Sequence, residues 1–111
     1  MKDTTANREL LERLEERCLR TPYCLRILER EGCIGLSLVT RSTAPEYTPD
    51  LCLYDDTSYS GGFRIGIQTT SYGTLDVGAT LAVAQSLTTA AELAKALCEE
   101  IRAAGYEVYR A

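Results

Sequence analysis

Thr88–Arg110, TTAAELAKALCEEIRAAGYEVYR, reads as a capped amphipathic helix that feeds a short strand. Thr89-Ala90-Ala91-Glu92 has the form of a capping box. In it the Thr89 hydroxyl accepts from the Glu92 backbone N–H, and the Glu92 carboxylate reaches back to the Thr89 N–H. Ala90, Leu93, Ala94, Leu97 and Ile101 fall on one stripe, with Glu92, Lys95, Glu99 and Arg102 opposite. Gly105 follows as the residue that ends the helix, and Tyr106-Glu107-Val108-Tyr109 alternates with period two. A helix with one apolar stripe and a strand with one apolar face both need a sheet to dock on. Leu97 is expected beneath that sheet, against the faces that carry Leu36, Leu53 and Ile65.

Upstream of this stretch, residues 75–87 (LDVGATLAVAQSL) alternate at Val77, Ala79, Leu81 and Val83. Gly78 and the β-branched residues disfavour helix, so a strand is expected there, with a helix as the competing reading. Phe63–Thr69 is a strand with Phe63, Ile65 and Ile67 on one face and Arg64, Gly66 and Gln68 on the other. Leu51–Asp55 and Cys33–Thr40 are strands too, the latter with Ile34, Leu36 and Leu38 together. Residues 56–62 (DTSYSGG), Ser71-Tyr72-Gly73 and the Pro45/Pro49 segment carry turn chemistry.

Residues 4–20 are a helix with Leu10, Leu11, Leu14 and Cys18 inward, and with Glu9–Arg13 and Glu16–Arg20 as i, i+4 pairs. Thr21-Pro22 starts a second helix over 22–31, ended by Gly32. The competing reading there is a strand from Tyr23 that turns at Glu31-Gly32. The predicted order is α-α-β-β-β-β-α-β. It is an α+β, two-layer fold: a mostly antiparallel sheet of four to five strands with the N-terminal and C-terminal helices on one face, spanning 1–111 as one small domain.

The chain has 111 residues, of which 45% are hydrophobic and 25% charged, which suits a packed core. No apolar run is long enough to span a bilayer. No leader pattern opens the chain, because Met1-Lys2-Asp3 runs straight into a charged helix, so a cytoplasmic setting is expected. Cys18, Cys24, Cys33, Cys52 and Cys98 form no C-x-x-C pair and are expected to stay thiols. A disulfide, a four-cysteine zinc site or a reactive thiol are the alternatives.

Residues 32–111 hold five basic and nine acidic groups, which is the whole net charge of −4. An acidic surface repels phosphates, so neither direct nucleic-acid binding nor membrane binding is expected. A basic partner protein is favoured.

The chain lacks histidine, which removes the Ser-His-Asp and Cys-His devices and histidine metal ligation. It has no phosphate-cradling glycine motif. The carboxylates Asp50, Asp55 and Asp56 are a candidate Ca²⁺ or Mg²⁺ cluster, but the order DDTSYSGG lacks the alternating ligands of an EF-hand loop. The expectation is no enzyme and no cofactor. Tyrosines cluster in and beside the loops, and interfaces use tyrosine as rigid amphipathic contact area. The candidate binding edge is Tyr47, Asp50, Tyr54, Asp55, Asp56, Tyr59 and Tyr72.

This profile, short, acidic and tyrosine-bearing without catalytic groups, is similar to that of small phage-encoded inhibitors of bacterial defence systems, anti-CRISPR proteins among them. The likeness is one of composition. It implies an inhibitor or accessory factor of a phage or mobile element that binds a basic host protein, one that itself handles nucleic acid if the acids serve as phosphate surrogates. The alternative is a structural or oligomeric subunit, such as a small phage morphogenesis protein. Its edge strand, Tyr106 to Tyr109, would pair with a second copy.

Overall fold

Thr4 opens the first helix, α1 (Thr5–Cys18), by accepting from the Asn7 N–H at 3.1 Å. Leu10, Leu11, Leu14 and Cys18 then share its buried face. The computed structural model describes residues 1–110. After α1 come β1 (Tyr23–Arg30), β2 (Cys33–Thr40), β3 (Asp50–Asp56), the single turn α2 (Thr57–Ser60), β4 (Gly62–Gln68), α3 (Val77–Ala103) and β5 (Glu107–Arg110). The architecture is α+β, as the sequence predicts, with two elements reassigned.

The first reassignment is residues 22–31, which form a strand rather than a helix. Tyr23, Leu25 and Ile27 satisfy a period of two as well as the apolar set satisfies a helix. The neighbouring sequence decides between them. β2 offers Leu36 opposite Ile27 and Leu38 opposite Leu25, so a hairpin builds one continuous apolar face. Gly32, at φ 69, makes the tight turn that joins Arg30 to Cys33.

The second is residues 75–87, where no strand forms. α3 begins at Val77 and runs 27 residues without a break. Its cap is Asp76, whose carboxylate accepts from the Ala79 N–H at 2.8 Å. Thr88 and Thr89 are therefore interior, and the capping box is not used. Their hydroxyls donate to the Ala84 and Gln85 carbonyls at 2.9 and 3.0 Å, the arrangement such residues adopt inside a helix. The helix ends before Gly105, at φ 91.

β1 and β2 form an antiparallel hairpin. β3, β4 and β5 form a second ladder in that order, with β3–β4 antiparallel and β4–β5 parallel. α3 is the crossover that a parallel β4–β5 pair requires. β2 and β3 lie side by side, joined at one end by Thr40 Oγ1 donating to Asp50 Oδ1. At the other end residues 1–3 fill the seam. Ile34 N–H donates to the Met1 carbonyl at 2.7 Å, and the Met1 ammonium donates to Ile34 O at 2.9 Å and Asp55 Oδ2 at 2.6 Å.

α1 packs on β1, α3 on β4 and β5, and the helices on each other. One core results: Leu10, Leu14, Tyr23, Ile34, Phe63, Leu97 and Ile101 are all essentially inaccessible. Glu9–Arg13 and Glu16–Arg20 do not close as ion pairs, and Arg20 lies past the end of α1 at φ 64. Arg13 and Arg17 both reach Glu100 on α3, at 3.0 and 3.1 Å, which ties the helices together. Asn7 is the one buried polar residue among those described. It donates to Lys2 O at 2.8 Å and accepts from the Tyr106 hydroxyl at 2.7 Å, so it joins both ends of the chain.

Candidate functional site

Because both long helices cover one face of the strands, the other face has no layer over it. Period two decides which side chains it displays. On β3 these are Asp50, Cys52, Tyr54 and Asp56. On β4 they are Gly62, Arg64, Gly66 and Gln68. Cross-strand pairing sets them in rows: Asp50–Gln68, Cys52–Gly66, Tyr54–Arg64 and Asp56–Gly62. Small Cys52 and Gly66 leave a trough between the end rows, which continues over Val39 and Thr40 of β2. β3 sets its length at about 20 Å.

Tyr54 stands in the middle of this strip and is half exposed. The Arg64 guanidinium lies 5.4 Å from its ring centroid and also pairs with Asp56. The neighbouring Cys52 thiol lifts the Tyr54 phenol above its ordinary value, so at neutral pH it is an uncharged hydrogen-bonding group. Tyr59, on α2 just after Asp56, is 95% exposed. At the other end, Tyr47 and Tyr72 meet edge to face with centroids 5.2 Å apart, beside the loop that leads into Asp50. Tyr47 holds a left-handed backbone, φ 68, an uncommon conformation for a bulky residue.

The strip thus brings Tyr54, Asp50 and Asp56 onto one face, with Tyr59 at one end and Tyr47 and Tyr72 at the other. Asp55 departs from the set. It points toward the helices, where its carboxylate takes the Met1 ammonium and both the N–H and hydroxyl of Thr57. Burial alone raises its pKa, but these donors outweigh it and hold the carboxyl below its usual range. Asp55 and Asp56 are both neutralised within the fold, and Asp50 keeps its charge exposed, with Glu46 nearby in sequence. Arg64, Cys52 and Gly66 were absent from the expected site. The alternation of β4 places Arg64 and Gly66 outward, so the signal was present in the sequence.

No group of three or more Cys, Asp or Glu side chains converges among the described residues in a way that would hold a metal ion. All five cysteines are unpaired. Burial pushes the Cys18 thiol up to about 11 and raises Cys98 as well, so neither is a ready thiolate. β5 is an edge strand, and its Tyr109 hydroxyl donates to Ser60 O. No helix is long and apolar enough to cross a membrane. No protein-family model, curated protein or solved structure matches the chain.

Proposed function

We propose that this chain is a non-enzymatic protein-binding module whose contact surface is the uncovered face of β3 and β4. The observation that carries this reading is the strip itself. Tyr54 sits at its centre, Tyr59 and the Tyr47–Tyr72 pair at its ends, and a small-residue trough lies between them. Tyrosines of this kind give rigid contact area with a polar tip, at low entropic cost. The trough gives a partner side chain somewhere to enter.

A basic partner is favoured by the net charge of −4 and by the exposed carboxylate of Asp50. Internal pairing of Asp55 and Asp56 leaves few free carboxylates for mimicry of a phosphate row. Recognition therefore rests on the tyrosines, with charge supplying steering. An inhibitor of a phage or mobile element is a role that suits such a surface, since it blocks a basic host protein without chemistry of its own.

Affinity capture at low and at raised salt tests this. The expected result is one partner whose retention weakens as salt rises and is lost with Tyr54→Ala. Retention equal for wild type and Tyr54→Ala at both salts contradicts the proposal.

A further inference from the structure

α3 changes character along its length. In its C-terminal half Ala90, Leu93, Leu97 and Ile101 are buried and Glu92, Lys95 and Glu99 are exposed. In its N-terminal half no residue before Ala90 is buried. Ala79, Ala82, Val83, Ser86 and Leu87 are half-buried, while Val77 and Leu81 are 76% and 65% exposed. Val77 to Ala91 is also the longest uncharged run in the chain. The molecule extends 49 Å along one axis, against 25 and 22 Å along the others.

The exposed residues are spaced for one kind of packing. Val77, Leu81, Ala84, Thr88, Ala91 and Lys95 are all exposed and recur at intervals of four and three. They lie within about 40° of one line on the helix, opposite Leu93 and Leu97. That is the seam of a two-stranded coiled coil.

We propose that a second copy of this chain covers the seam, with the two α3 helices antiparallel. In that register Val77 meets Lys95 of the second copy, Leu81 meets its Ala91, and Ala84 meets its Thr88. Each layer sets a larger side chain against a smaller one, which allows close approach. The Lys95 stem lies over Val77 and brings its ammonium beside Asp76 of the other copy, a pair made twice by the two-fold axis. A parallel pair would set Asp76 against Asp76 and Lys95 against Lys95. Elsewhere two copies of net charge −4 meet like charge, whereas this run presents none. The seam faces away from the strands, so this inference and the binding face of β3 and β4 stand or fall separately.

Sedimentation equilibrium of the full chain in reductant, from micromolar to millimolar concentration, is the test. Wild type is expected to reach twice 12.2 kDa. Leu81→Glu and Ala91→Lys, both at exposed positions, should each raise the dissociation constant at least about tenfold, and at concentrations where all are monomeric each should melt as wild type does. Combining Leu81→Glu with Ala91→Lys sets the introduced carboxylate of one copy against the introduced ammonium of the other, so the double variant should dimerise again. The two positions are too far apart on one helix to pair within a chain. A wild type that stays monomeric throughout overturns the proposal. So does a Leu81→Glu variant that dimerises normally, or a double variant no better than the single ones.

Discussion

Leu97 lies at the centre of the core with no exposed surface, and Glu99, two residues on, is in solvent. Leu97→Ala leaves a cavity that its packed neighbours cannot fill, at a cost of about 2–5 kcal/mol. Glu99→Ala should change stability by no more than about 0.5 kcal/mol. Urea melts of the two variants check this, and a costlier Glu99 variant would reverse the assignment of the buried face. Asp55 contributes to acid stability. Its folded pKa is lowered, so its carboxylate stabilises the fold above the ordinary value near 3.9, and this is lost as pH falls through the lower folded value. Urea melts from about pH 6 down to about pH 3 should show wild type losing stability more steeply than Asp55→Asn. Equal slopes would mean that the Met1 and Thr57 donors do not lower the folded pKa of Asp55. The pattern rules identified Leu97 because a stripe of Leu and Ile has only one place to go. They did not identify the role of Asp55, because its partner, the Met1 ammonium, lies 54 residues away.

At the level of elements, β5 runs close against β4 at Gly62. A Cβ on Gly62 would stand 2.6 Å from Glu107 O and 2.7 Å from the Tyr109 ring. Gly62→Ala should therefore loosen β5 from β4. Amide exchange at Val108 and Tyr109 is expected to rise well above that of β1 and β2, and unchanged protection at β5 would contradict it. The strands β2, β3 and β4, helix α1 and the last turns of α3 were all legible from period and turn chemistry. β1 and the start of α3 were not. Tyr23 to Leu28 fits both periods, and only cross-strand partners such as Leu36 and Leu38 choose between them. The first half of α3 is obscured because Val77, Ala79, Leu81 and Val83 alternate and Val77 and Leu81 face outward, so no single apolar stripe shows. Asp76 is a cap readable in the sequence, but the Thr89 capping box competes with it.

For the molecule as a whole, two helices on one face leave the other to act. Tyr54 and Asp50 share that face because β3 alternates. Tyr47 and Tyr72 come together only through the loops, which periodicity does not describe. Binding of a protein partner at this face is tested by the Kd of the captured partner for wild type, Tyr54→Ala, Asp50→Lys and Glu15→Lys, the last on the exposed side of α1. Tyr54→Ala should weaken binding by at least about tenfold, and Asp50→Lys should weaken it most at low salt. Glu15→Lys should match wild type at equal salt. Equal Kd values for wild type and Tyr54→Ala, or a loss confined to Glu15→Lys, would contradict the claim.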